Sequence, residues 1–367
     1  MGRLSEVKTF YRGKRVLITG HTGFKGGWLA FWLQTFGADV IGYALPPPTL
    51  PNFFEAVKLA DSMTSLLGDV RDYEKLIKTF TQYQPEIVFH MAAQPLVRYS
   101  YREPVETYAT NVMGTVYVLE ACRATPSLRA VVNITSDKCY EDTKQQKSYR
   151  EEDAMGGHDP YSSSKGCAEL VTRAYIRSYF NPMEVSSQPL CSLASVRAGN
   201  VIGGGDFAPD RLIPDCIRSR IAQKPILIRY PDAIRPWQHV LEPLYGYLVL
   251  AQRLYEDGRV FSGGWNFGPA IEDHKPVRWV IERLLDLWGD GGSWQPDVDH
   301  PLHETLHLIL DVSKAREKLG WSPQWNIDNA LENAVAWYKA FFQHKNMSRI
   351  TLEQITQYEQ LLNTARR

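Results

Sequence analysis

The strongest constraint in this 367-residue sequence is a run of three glycines, Gly20-His21-Thr22-Gly23-Phe24-Lys25-Gly26. It directly follows Val16-Leu17-Ile18-Thr19 and directly precedes an apolar helical pattern through Trp28, Leu29, Phe31, Trp32 and Leu33. A buried strand that turns straight into a helix leaves the backbone few options. Gly20 permits the tight turn, Gly23 lets backbone amides approach an anion with no side chain between, and Gly26 lets the helix pack closely on the strand. The helix N-terminus adds partial positive charge, so the loop suits a pyrophosphate. Its placement carries this reading, because three glycines alone also describe a plain turn.

Apolar runs recur at 39–43, 62–67, 86–91 and 130–135, with helical stretches between most of them. Near-continuous apolar strands joined by crossover helices imply a parallel sheet covered on both faces. The expected fold class is therefore α/β: a doubly wound, Rossmann-type parallel sheet with a smaller C-terminal substrate-binding domain. Residues 1–200 are read as the dinucleotide-binding domain, with a returning segment near 240–270 that begins as a helix over 240–254. The rhythm breaks at Gly203-Gly204-Gly205, and residues 201–367 are read as mainly the second domain. Residues 143–155 read as a polar, charged insertion.

Forty-one basic residues balance forty-one acidic ones, which removes the electrostatic case for nucleic acid or a membrane surface as a partner. No apolar run approaches the ~20 residues of a spanning helix, and MGRLSEVKTFYRGK carries no hydrophobic signal segment, so a cytoplasmic protein is expected. Cys122, Cys139, Cys167, Cys191 and Cys216 are odd in number and never spaced CxxC, which fits reduced thiols and no zinc site.

Dinucleotide folds usually end the second strand with an acid that holds the ribose hydroxyls, and here Tyr43-Ala44-Leu45 leads into prolines instead. No arginine or lysine stands between Val40 and Val57 to pair a 2′-phosphate, so NAD is the expected cofactor, bound with modest affinity. Asp69-Val70 reads either as an adenine contact or as a capping Asp before a helix beginning near Tyr73.

YxxxK occurs twice, as Tyr140 to Lys144 and Tyr161 to Lys165. The second opens a long amphipathic pattern through Leu170, Val171 and Ile176, which puts Tyr161 and Lys165 one turn apart on one helix face. The first sits in the polar insertion. A phenol of ordinary pKa ~10 needs a nearby ammonium before it can accept a hydroxyl proton at neutral pH, and only the helical pair supplies one. Upstream, Thr135-Ser136-Asp137-Lys138 ends the fifth strand at the carboxyl edge where ligands bind, and Ser136 is placed to hydrogen-bond the same substrate hydroxyl. His303-Glu304-Thr305-Leu306-His307 matches HExxH, but Leu306, Leu308 and Leu310 alternate as in a strand, which would splay the histidines, so no metal is expected.

Taken together these residues resemble the extended short-chain dehydrogenase/reductase family. The glycine loop, Asp69-Val70, His90-Met91-Ala92-Ala93-Gln94, Asn111-Val112-Met113-Gly114-Thr115, the Ser136 region, Tyr161/Lys165 and Arg197-Ala198-Gly199-Asn200-Val201 fall in the family's order. TGHTGFKGGWL, GYALPPPTLPNFFE, TSDKCYED and RPWQHVLEPLYGYL are similar to segments of its sugar-nucleotide 4,6-dehydratases, the CDP-sugar branch in particular.

The resemblance implies CDP-glucose as substrate and a hydro-lyase activity through a 4-keto intermediate. It implies catalytic roles for Ser136, Asp137, Lys138, Tyr161 and Lys165, with Asp137 a protonated acid for the departing 6-hydroxyl. Lys138 replaces the glutamate of related enzymes, either as a neutral base at C5 or as an ammonium that stabilises the enolate. Contacts to NAD are implied for Gly20, Thr22, Gly23, Phe24, Lys25, Gly26, Asp69, Val70, Ala92, Ala93, Gln94, Asn111, Thr135, Tyr161 and Lys165. Asn200, Arg235 and Asn266 are implied at the diphosphate, with Arg211 either a further contact or a solvated surface arginine. A homodimer or dimer of dimers is implied, pairing helices that include 104–122 and 161–179. A 4-epimerase, a dehydratase for another nucleotide and a non-catalytic dinucleotide-binding protein are the rival readings.

Overall fold

The computed structural model describes residues 3–142, 147–180, 191–297 and 308–364. Five strands stand where the apolar runs predict them: β1 (Arg15–Thr19), β2 (Asp39–Ala44), β3 (Thr64–Leu67), β4 (Ile87–His90) and β5 (Ala130–Ile134). Two more, β6 (Ser192–Ala198) and β7 (Gly263–Phe267), complete a seven-stranded sheet in the order β7-β6-β5-β4-β1-β2-β3. Every pairing in it is parallel. The chain winds outward from β1 in both directions, so a crevice opens at the carboxyl ends of β1 and β4.

The helices that matter below are α1 (Phe24–Thr35), α2 (Tyr73–Tyr83), α3 (Gly114–Arg123), α4 (Pro160–Ser178), α5 (Leu212–Ile221), α6 (Leu241–Phe261), α7 (Ile327–Phe342) and α8 (Met347–Thr364). Alternation along the strands sorts the sheet's side chains into two cores. Val16, Ile18, Ile87, Phe89, Val132 and Val196 share one core with Trp28 and Trp32 of α1 and Leu244 and Leu248 of α6. Leu17, Ile41, Val88, Val131 and Leu193 face the other, with Leu76 and Phe80 of α2 and Val118 and Leu119 of α3. Burying each such side chain contributes roughly 1.5–3 kcal/mol.

The glycine run at 203–205 is a packing site. The Trp28 indole donates to Gly204 O at 2.9 Å, and a side chain on Gly204 would run into Trp337 of α7. Glu242, buried at the start of α6, accepts from the backbone N–H groups of Gln324 and Trp325 and from the Tyr358 hydroxyl of α8. The C-terminal helices are thereby tied to the same core.

Several details differ from the sequence reading. The stretch 104–122 is not one helix, since a π-helical turn over Ala109–Met113 separates Pro104–Tyr108 from α3. The helix after Asp69 is capped by Asp72, whose carboxylate accepts the Lys75 N–H at 3.0 Å. Tyr140 is buried, not exposed in a polar insertion, and stacks on Tyr149 with ring centroids 5.0 Å apart. Ile309–Leu310 forms a short strand beside Ser148–Tyr149, whereas His303, His307 and Lys144 lie outside the described residues.

Candidate active site

Four parallel strands deliver their following residues to one rim. β1 leads into Gly20, β4 into Met91, β5 into Thr135-Ser136-Asp137-Lys138, and β6 into Gly199-Asn200. A cavity of about 390 Å³ opens there, with Phe24, Lys25, Ala93, Thr135, Ser136, Asp137, Lys138, Tyr161, Lys165, Asn200, Arg211 and Arg235 in its wall.

The glycine loop fits a dinucleotide pyrophosphate. Gly20 has a φ of 80°, and a Cβ there would lie 2.7 Å from Ala92 N. A Cβ on Gly26 would lie 2.2 Å from Gly20 O, so helix and loop are in backbone contact. Gly23 caps α1 with no side-chain hydrogen bond, which leaves first-turn amides to meet an anion. Thr22 Oγ1 donates to Leu45 O at 2.8 Å and pins the loop to the end of β2. His21 lies within 2.8 Å of Ser65 Oγ through Nε2, and burial lowers its pKa to about 4, so it is neutral at pH 7.

At the outer end, Tyr43 OH donates to Asp69 O at 3.0 Å. Burial alone would raise the Asp69 carboxyl, but the Arg71 guanidinium, donating to both its oxygens, lowers it. The Val70 side chain is buried under Gly114, so only its backbone is free to face a ligand. Asn111 and Gln94 link the loop after β4 to α4. Asn111 Oδ1 accepts the Gln94 N–H at 2.8 Å, and Asn111 Nδ2 donates to Ser164 Oγ at 2.8 Å. Asn111 sits in the π-helical turn, a distortion that often marks functional positions. His90 is buried between Thr19 and Thr115, and burial, with Lys165 adding to it, lowers it to about 3. Thr115 spends its proton on Asn111 O, so it accepts from Nε2–H and Thr19 donates to Nδ1.

The start of α4 is fixed closely. Asp159 accepts the Ser162 N–H and hydroxyl at 2.9 and 2.6 Å, Pro160 occupies the first turn, and Ser100 Oγ accepts the Tyr161 N–H at 3.1 Å. Tyr161 and Lys165 follow one turn apart, both buried. Burial pushes the Tyr161 phenol up to about 12, and its hydrogen bond with Ser136 pulls the other way. Burial lowers Lys165 to about 8, with the Lys25 ammonium adding to it. Asp137 accepts from Ser136 Oγ at 3.0 Å through Oδ1, while Oδ2 is buried with no hydrogen-bond partner. Burial raises its pKa, against Lys138, Ser136, Arg235 and Lys25. That burial shifts the carboxyl toward its protonated form.

Arg211 also lines this cavity, with Nη1 2.8 Å from Asp206 Oδ2. Asn266 stands apart. It is fully buried, accepts from Tyr140 OH at 2.7 Å and donates to Tyr149 O and Asp311 O, so its amide is saturated away from the cavity wall. Sequence reasoning also passed over Arg98 and Asp210, which pair at 3.5 Å, and Asp206, Arg229 and Trp237 in the wall. All but Trp237, which lies in RPWQHVLEPLYGYL, come from segments with no short motif.

A doubly wound sheet with a glycine cradle after β1 and a serine and a helical Tyr–Lys pair at its rim defines an extended short-chain dehydrogenase/reductase. The chain belongs to the family described as GDP-mannose 4,6 dehydratase, which matches it over residues 17–334. It is 54% identical to CDP-glucose 4,6-dehydratase of Salmonella typhimurium, across 96% of this chain and 98% of that one. Identity to dTDP-glucose 4,6-dehydratase of Neisseria gonorrhoeae is 28%, across 89% and 95% of the two chains. The fold is shared with the solved structure of DesIV, a dTDP-glucose 4,6-dehydratase from Streptomyces venezuelae with NAD and TYD bound. The TM-score is 0.76 at 23% identity, with 91% and 99% of the chains covered. UDP-glucose 4-epimerase from Thermotoga maritima with UDP-glucose also has a TM-score of 0.76, at 20% identity over 89% and 99%.

Proposed function

We propose that this chain is a CDP-glucose 4,6-dehydratase, converting CDP-D-glucose to CDP-4-keto-6-deoxy-D-glucose with NAD as cofactor. The observation that carries the reading is Asp137 and Lys138 sharing one cavity with Ser136, Tyr161 and Lys165. Oxidation at C4 needs only the last three, whereas loss of water needs an acid and a group that serves C5. The 54% identity to the Salmonella enzyme supports the cytidine nucleotide.

Tyr161, its raised pKa brought down by the Lys165 ammonium and, when NAD is bound, by the oxidised nicotinamide, takes the proton of the sugar 4-hydroxyl, with Ser136 orienting that hydroxyl. NAD, when bound, supplies the hydride acceptor for C4 and the hydride donor for C6, so it is regenerated in each turnover. The 4-ketone acidifies the C5 proton. Lys138 serves that position, either as a neutral base that takes the C5 proton or as an ammonium that stabilises the enolate while another group takes it. Asp137 gives its proton to the departing 6-hydroxyl, so water leaves. Arg235 and Arg211 supply guanidinium groups for the diphosphate, and Asn200 lies beside them in the wall. The glycine loop, with Ala92, Ala93, Thr135 and the Asp69-Val70 backbone, is assigned to the dinucleotide.

In this reading residues 1–200, with the return near 240–270, bind the dinucleotide and the remainder binds the sugar nucleotide. Pairing of two copies through α4 and the helices within 104–122 is supported by Val105, Met113 and Leu170, large apolar side chains exposed on them, and by Tyr179 at the end of α4. Five free cysteines support a cytoplasmic setting.

The test incubates purified protein and NAD with CDP-glucose, UDP-glucose or dTDP-glucose in turn, and analyses the sugar by NMR. A 4-keto-6-deoxy sugar from CDP-glucose is expected. Inversion at C4 would make the chain an epimerase, preference for another nucleotide would overturn the substrate, and NAD binding with no turnover would make it a binding protein.

A further inference from the structure

Behind the turn that carries Ser136, Asp137 and Lys138 lies a buried polar network that the reaction does not itself use. Glu169 sits one turn beyond Lys165 on α4, so Tyr161, Lys165 and Glu169 follow one another at four-residue spacing on one face. Its carboxylate accepts from Arg197 Nε at 3.0 Å and Nη2 at 2.7 Å, from Ser195 Oγ at 2.7 Å and from Thr135 Oγ1 at 2.5 Å. Arg197, on β6, is 1% exposed. It reaches on through Nη1 to Tyr140 OH at 2.6 Å and Glu151 O at 3.1 Å. Tyr140 OH in turn donates to the saturated Asn266. The network therefore grips the turn on both sides, at Thr135 just before Ser136 and at Tyr140 two residues after Lys138.

Stability gives no reason for such a cluster. Removing a guanidinium and a carboxylate from water costs several kcal/mol per ion, and an apolar pair of similar volume is often as stable or more so. What an apolar pair lacks is direction. Forked, saturated hydrogen bonds set the height and rotation of the Thr135–Tyr140 segment against α4, which a packed methyl surface would not.

We propose that Glu169 and Arg197 are positioning residues that set the Asp137–Lys138 turn against the Tyr161–Lys165 helix, and so couple elimination to oxidation. This rests on the dehydratase reading. The 4-hydroxyl proton passes to Tyr161 on the helix as the C4 hydrogen leaves as hydride. The C5 proton is removed, and the C6 hydroxyl leaves as water with the proton of Asp137, from the side of the turn. Loosening the turn leaves the first step largely intact and slows the second, so sugar stalls as the 4-ketone before water is lost.

The test compares wild type with Tyr140→Phe, which removes one hydroxyl of the network, and with the double variant Glu169→Leu/Arg197→Met, which removes both charges at similar volume. Single turnovers of CDP-glucose are followed by the near-ultraviolet absorbance of the reduced nicotinamide, by water loss, and by uptake of solvent deuterium at C5. Thermal unfolding is recorded alongside. In the double variant, oxidation is expected near the wild-type rate and water loss about tenfold or more slower, so the absorbance accumulates. Tyr140→Phe moves the same way by less. Both steps falling in proportion, or neither falling in a folded variant, overturns the inference. An unfolded double variant leaves Tyr140→Phe to decide, and an unchanged partition there also overturns it. Failure of wild type to release water from CDP-glucose sinks the functional reading instead, before any variant is compared.

Discussion

Lys165→Met should make the ligand-free protein more stable while abolishing its chemistry. The amine is buried, and burial lowers its pKa from the ordinary 10.5 to about 8. A fall of about 2.5, at about 1.4 kcal/mol each, means that keeping the ammonium folded costs roughly 3 kcal/mol below pH 8. Its 3.4 Å contact with Ile134 O returns about 1 kcal/mol, which leaves a net gain of about 2 kcal/mol for a methionine of similar length. For a chain of this size that is about 3 °C in melting temperature. The pH dependence identifies the cause. The folded pKa lies below the unfolded one, so between about 8 and 10.5 the unfolded state binds more protons and wild type gains stability as pH rises. The advantage of the variant should thus be full at pH 7 and close as pH climbs through that window. Thermal unfolding of NAD-free protein from pH 7 to 10 measures it, and a C4 oxidation assay supplies the opposing readout. A variant that melts below wild type at pH 7, or an advantage that does not change with pH, refutes the reasoning.

Tyr161→Phe should lower C4 oxidation by about 10²–10⁴-fold with the fold unchanged, as read by single-turnover absorbance and circular dichroism; near-normal oxidation removes the phenol from the mechanism. Gly26→Ala drives a methyl into Gly20 O, a backbone atom that cannot swing aside. Calorimetric titration should show NAD affinity down about tenfold or more, since overpacking costs about 1–3 kcal/mol, and unchanged affinity would mean that the loop does not hold the pyrophosphate. Arg235→Met should raise the KM for CDP-glucose about 10-fold or more and leave kcat nearly unchanged, because a charged hydrogen bond to an anion contributes about 1.5–3 kcal/mol. A loss confined to kcat would move Arg235 from binding to chemistry.

What the sequence made legible follows from where its chemistry is local. β1 to β5 are apolar runs with crossover helices between, and the glycine loop and the Tyr161–Lys165 pair each lie within one turn of chain. β6 and β7 were harder to read. Ser192–Ala198 buries Arg197, and Gly263–Phe267 pairs two glycines with a buried asparagine, so neither looks like a core strand until Glu169 and Tyr140 are seen to satisfy them. The same network moved Tyr140 from insertion to interior and holds the Asn266 amide apart from the cavity wall. The spacing of Glu169 from Lys165 was visible in the sequence, but its partners come from β6 and the end of β5. Asp72 displaced Asp69 as the cap because Arg71 turns back on Asp69.

The placement of β7 has an evolutionary consequence. After residue 200 the chain leaves the sheet, returns through α6 to add an outermost strand, and then leaves again for its last helices. A recombination event that exchanged everything after residue 200 would strip the sheet of an edge and expose the flank of β6. The two halves are therefore not interchangeable cassettes. Relatives that act on other nucleotides are to be expected to have diverged by point changes in the cavity wall, with the chain's path preserved.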